Sequence, residues 1–102
     1  MLYDLFGSVD NTEILRLRQM LEEADIPHFI HQLWGGKQIC YPSRENLICS
    51  VVQHGGSYGG RDGKLEIMGL LTDEEEERDS VVGWLTAEEV FARIQKDFQK
   101  NT

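Results

Sequence analysis

Ile14, Leu17, Leu21 and Ala24 recur at helical spacing, with Leu15 alongside, while Glu13, Arg16, Gln19 and Glu23 fall mostly on the other side. A helix patterned this way is held in water by whatever covers its apolar stripe, not by propensity alone. A second stripe, Ala87, Val90, Phe91, Ile94 and Phe98, lies near the far end of the chain. Both segments carry start signals: Asp10 with Glu13, and Thr86 with Glu89, fit the capping-box pattern. Pro27 ends the first helix, and Lys96 and Lys100 suit the negative end of the second. Two such helices need a shared apolar surface, and the residues between them must supply it.

Those residues read mainly as strands. Leu2–Phe6 predicts a short strand stopped by Gly7. Phe29–Leu33 and Gln38–Tyr41 predict a hairpin about Trp34-Gly35-Gly36-Lys37, ended by Pro42-Ser43. In residues 44–54, Leu47, Ile48, Val51 and Val52 repeat at i, i+1, i+4 and i+5, with Ser43 as an N-cap and Gly55 as a stop. That pattern predicts a helix, although Ile and Val also favour strands. Residues 54–63 form a glycine-rich loop, Lys64–Leu71 a strand, Asp73–Asp79 a solvated acidic loop, and Val81–Leu85 a short strand.

The order implies a single α+β domain over residues 1–102. Its core, residues 1–71, would be a ferredoxin-like βαββαβ sheet. Residues 72–102 would add an acidic loop, a short strand and a C-terminal helix.

Charge narrows the class of partner. Eighteen acidic against ten basic residues leave a net charge of −8, which disfavours nucleic-acid phosphates and permits contact with a basic groove on another protein. No apolar run approaches the ~20 residues that span a bilayer, and Met1–Asp4 lacks the pattern of a signal peptide. Cys40 and Cys49 are too few for a disulfide framework and read as free thiols in a reducing cytosol.

Catalytic patterns fail on context. Gly55-Gly56-Ser57-Tyr58-Gly59 matches G-x-S-x-G, but a nucleophile elbow needs a strand before it, a helix after it and a later histidine. No histidine follows Ser57, so no catalytic residue is assigned and the chain is expected not to be an enzyme. His28 and His31 would point to opposite faces of a strand, so neither a metal site nor a cofactor is expected. The glycine loop has a second use. Backbone amides around Gly56, Ser57, Tyr58 and Gly59 could cradle an anion, with Arg61 and Lys64 adding charge. Trp34, Tyr58 and Trp84 each sit beside a glycine, and aromatics on loops are enriched at binding surfaces.

Three segments carry a resemblance. Gly56-Ser57-Tyr58-Gly59, then Glu66-Ile67-Met68-Gly69-Leu70-Leu71-Thr72 with its acidic run, then Val82-Gly83-Trp84-Leu85-Thr86-Ala87-Glu88-Glu89-Val90-Phe91, resemble a family of short proteins encoded in phages and prophages of Firmicutes. That family brings no activity to transfer. It implies an accessory protein acting in the bacterial host cytoplasm. The first 70 or so residues are also similar in architecture to small βαββαβ domains assigned to signal transduction, through Glu13-Ile14-Leu15, Ala24-Asp25-Ile26-Pro27 and a strand ending in Pro42. The glycine loop and the C-terminal extension depart from them. The reading that results is a non-enzymatic protein that binds a protein partner or self-associates. The alternative is a small-ligand, nucleotide or anion binder using residues 55–63.

Overall fold

A computed structural model describes residues 9–101. The strand expected at Leu2–Phe6 lies outside the described residues. Helix α1 (Thr12–Glu23) begins after Asn11 and buries Ile14, Leu17 and Leu21 of the stripe read from the sequence, while Ala24 is its exposed C-cap. Strands β1 (Phe29–Leu33) and β2 (Gly36–Pro42) form the expected hairpin, closed by a two-residue turn at Trp34-Gly35. Strands β3 (Leu47–Gln53), β4 (Leu65–Met68) and β5 (Val81–Leu85) complete the sheet. Helix α2 (Asp73–Arg78) precedes β5, and helix α3 (Ala87–Lys100) follows it. A 3-10 turn at Gly60–Asp62 lies in the loop between β3 and β4.

The fold class is α+β, and two local expectations are corrected. Residues 44–54 contain a strand, not a helix. Cys49, Val51 and Gln53 alternate onto the helix-covered side and β3 pairs with β2 and β4, so bonds to two neighbouring strands outweigh the helical spacing. The acidic segment is helical at Asp73–Arg78, because Thr72 and Glu75 form a reciprocal capping box and acidic side chains suit a helix N-terminus. The ferredoxin-like βαββαβ order is corrected as well. Among the described residues the sheet is an antiparallel meander in chain order, β1-β2-β3-β4-β5.

Register assigns the faces, since directly paired residues on antiparallel strands share one side. Ile30, Ile39, Val51, Ile67 and Val82 form a continuous row on one face. α1 and α3 cover that face with Ile14, Leu17, Leu21, Val90 and Ile94, all fully buried. Phe29, Cys40, Ser50, Met68 and Val81 form a row on the other face, beside His31, Gln38, Val52 and Glu66. Its polar groups satisfy one another: the His31 ring lies 2.6 Å from Gln38 Oε1, and Gln38 Nε2 donates to Ser50 Oγ at 2.7 Å.

The helices lock to each other at their N-termini. The capping box expected from Asp10 and Glu13 does not form: the N-cap is Asn11, without a side-chain cap bond, and Asp10, one residue earlier, accepts the Thr12 N–H at 2.9 Å. Glu13 Oε2 instead accepts the N–H of Ala87, the first residue of α3, at 2.6 Å. Arg16 of α1 pairs with Glu88 of α3 beside that bond. The second capping box forms as expected, from Thr86 and Glu89.

Candidate functional site: an aromatic rim

The two-residue turn of the β1–β2 hairpin requires positive φ at both central residues. Trp34 and Gly35 have φ of 48° and 78°. Glycine adopts this freely, whereas tryptophan meets a clash between its Cβ and the backbone. The indole then projects from the tip, 76% exposed, and makes an edge contact with the His54 ring at 5.4 Å.

Trp84 reaches the same backbone region by another route. Leu65 pairs with Leu85 and Ile67 with Val82, so Gly83 and Trp84 together oppose Glu66 in a β-bulge. Trp84 has φ 56° and is 58% exposed. Its ring stacks on Tyr58 at 5.9 Å with 7° between the planes, and its Nε1 donates to Asp62 Oδ2 at 3.2 Å. Glycine is required at the bulge because a Cβ on Gly83 would lie 2.2 Å from the Tyr58 Cβ.

The glycine loop joins the two tryptophans. It leaves β3 at His54, under Trp34, and carries Tyr58 to Trp84, where the Trp84 N–H donates to Tyr58 O at 3.1 Å. Turn bonds hold it: the N–H groups of Ser57, Gly60, Asp62, Gly63 and Lys64 all donate to carbonyls of residues 54–60. The Tyr58 N–H donates to Glu66 Oε1 at 2.8 Å, and the Gly56 N–H to His54 Nδ1 at 3.0 Å. Beneath the loop, fully buried Gln53 donates to Asp10 O and Gly60 O, and its Oε1 accepts the Ile14 N–H. Trp34, His54, Tyr58 and Trp84 thus lie along one end of the sheet, on a loop anchored to the helix beneath.

All the loop and aromatic residues singled out in the sequence meet at this end, but not as an anion cradle. The amides of Gly56, Ser57 and Tyr58 are spent on internal acceptors. Arg61 Nε donates to Gly55 O at 3.1 Å, folding the guanidinium base onto its own loop. Lys64 leads into β4, its Cβ against Gly59. Ser57 is buried, and its hydroxyl both donates to His54 O at 2.9 Å and accepts the His54 N–H at 3.0 Å. It serves the turn, and the imidazole Nδ1 faces Gly56 instead.

Sequence reasoning missed Asp62, Glu66 and Gln53 as parts of this end. Asp62 and Glu66 belong to it through bonds to Trp84 and Tyr58, which only the bulge and the loop path bring about. Elsewhere, among the described residues, no group of three or more His, Cys, Asp or Glu could hold a metal ion. No described helix is long and apolar enough to cross a membrane. No family model, curated protein or solved structure matches the chain.

Proposed function

We propose that the chain is a non-enzymatic binding protein that holds a protein partner against the aromatic rim formed by Trp34, Tyr58 and Trp84. One observation carries the reading. The chain has two tryptophans, and both stand in left-handed backbone while more than half exposed. Left-handed backbone costs an L-residue about 1–2 kcal/mol, which Gly or Asn largely escapes. Exposure forgoes much of the burial that makes tryptophan worth placing. Neither the backbone nor the core accounts for these residues, whereas large rigid aromatics dominate protein interfaces. The resemblance to phage and prophage proteins makes a bacterial host protein, met in the host cytoplasm, the expected partner. The internally spent amides of the glycine loop weigh against the anion-binding alternative.

The test compares wild type with a Trp34→Asn, Trp84→Asn double variant, its fold checked by circular dichroism. Each is immobilised and exposed to bacterial lysate, and any captured protein is purified and titrated against both. A partner bound by wild type and lost by at least tenfold in the variant is expected. A captured protein that binds both equally would overturn the assignment of the rim.

A further inference from the structure

Away from the rim, α3 and the segment after β4 enclose a cavity of about 500 Å³, within the size range of small-ligand sites. One wall is Leu70-Leu71-Thr72. The other is a stripe of α3, Arg93, Lys96, Asp97 and Lys100, spaced i, i+3, i+4 and i+7 and therefore on one face of the helix. Three of the ten basic residues of a chain at −8 thus line one cavity.

Their partners show which of these charges are open. Arg93 is committed within the fold, donating to both carboxylate oxygens of Glu75 and to Leu70 O. Among the described residues, Lys96 and Lys100 are exposed and make no ion pair or hydrogen bond. Asp97 Oδ2 accepts the Tyr41 hydroxyl at 2.7 Å. Two open ammonium groups and one carboxylate leave a single positive charge to be matched. The negative end of the α3 dipole takes up part of it, so a group carrying two charges is opposed and one carrying a single charge is favoured.

The facing wall is apolar and strained. Leu70 and Leu71 are half-buried, resting on the core and lining the cavity. Leu70 stands in left-handed backbone at φ 55°, a conformation that brings the Cβ of an L-residue against its own backbone. Strain of this kind gathers at ligand clamps. We propose that this cavity binds a small monocarboxylate with an apolar body, its carboxylate accepting from Lys96 and Lys100 and its body lying over Leu70 and Leu71. The site does not rest on the rim reading, because the two share no residue.

Octanoate and N-acetylleucine, titrated separately at neutral pH and followed by the methyl signals of Leu70 and Leu71, test this. At least one should saturate. The tighter of the two separates an acyl chain from the carboxyl end of a peptide as the source of the group. A Lys96→Gln, Lys100→Gln double variant, its fold checked by circular dichroism, should weaken binding at least about tenfold, and Trp34→Asn should leave it unchanged. Octanol, which keeps the apolar body without the charge, should bind at least about tenfold more weakly than octanoate. Inorganic phosphate at equal concentration should not displace the carboxylate. Saturation by neither probe, binding indifferent to the lysine substitutions, octanol binding as tightly as octanoate, or displacement by phosphate would overturn the proposal.

Discussion

Gln53 Oε1 accepts the backbone N–H of Ile14 at 3.2 Å, so a side chain at the end of β3 satisfies a donor that the first turn of α1 cannot satisfy itself. Its Nε2 binds Asp10 O at 2.9 Å and Gly60 O at 3.3 Å. One fully buried amide therefore ties sheet, helix and glycine loop together. Gln53→Leu keeps the approximate volume but orphans these groups. A stability loss of about 2–4 kcal/mol is expected in urea unfolding, from the desolvation cost of unpaired buried polar groups. A loss below about 0.5 kcal/mol would show that water replaces the amide.

Gly83 sets how closely the loop approaches the bulge. Any Cβ there meets Tyr58 Cβ at 2.2 Å and Tyr58 O at 2.8 Å, which are backbone-near atoms that cannot rotate aside. Gly83→Ala should cost about 1–3 kcal/mol, as overpacking does, and should separate Tyr58 from Trp84. Near-ultraviolet circular dichroism reads that separation as a loss of the stacked-pair signal. An unchanged spectrum with unchanged stability would mean that the loop does not dock on the bulge.

Much of this architecture was legible in the residues. Ile14, Leu17 and Leu21, and Val90 and Ile94, betray helices through period alone, and the hairpin shows through Gly35. β3 was not legible, because Leu47, Ile48, Val51 and Val52 satisfy both a helical spacing and a β-rich composition. What decides between them is hydrogen bonding to β2 and β4, which no local window contains. The rim was half legible. Glycine beside Trp34, Tyr58 and Trp84 marked unusual backbone, but Gln53 has its acceptor 43 residues away at Asp10 and carries no sequence signal.

The thiols should stay reduced for geometric reasons. Tyr41 pairs with Cys49 and Cys40 with Ser50, so the two cysteines lie on opposite faces of adjacent strands and their Cβ vectors diverge. Burial also pushes the Cys49 thiol up to about 12 and raises that of Cys40, which suppresses the reactive thiolate. Ellman's reagent should label both only in denaturant, and mild oxidants should leave the mass unchanged. Fast labelling of Cys49 in the native protein would contradict its place in the core.

Glu75 is held by several groups. Its carboxylate takes two bonds from Arg93, at 2.8 and 2.7 Å, and accepts the Thr72 N–H at 2.9 Å. The Arg93 bonds, followed by the Thr72 bond, lower its pKa from 4.5 to about 2. A depressed carboxylate contributes stability above its unfolded pKa and loses it as pH falls through the folded one. Glu75→Gln should therefore cost about 2 kcal/mol at neutral pH, the scale of charge-assisted hydrogen bonds. The gap from wild type should narrow below 4.5 and close near 2. A gap that is flat with pH would assign the loss to shape, not to charge.

Trp34 offers the sharpest division between structural and binding roles, because two magnitudes oppose each other there. Its left-handed backbone costs about 1–2 kcal/mol relative to a residue at ease in that region. Its edge contact with His54 returns about 0.5–1.5 kcal/mol, and its 76% exposure places it toward the low end. Trp34→Asn should therefore stabilise the fold by about 0.5–1 kcal/mol in urea unfolding, since Asn is well suited to this turn. Trp84→Asn should gain nothing, because Trp84 also forfeits its stack on Tyr58 and its bond to Asp62. A Trp34 variant that is more stable yet binds its partner less well has the signature of a side chain kept for contact. If Trp34→Asn instead loses more than about 1 kcal/mol, the indole is a plug over the loop, and the binding role of the rim loses the observation that carries it.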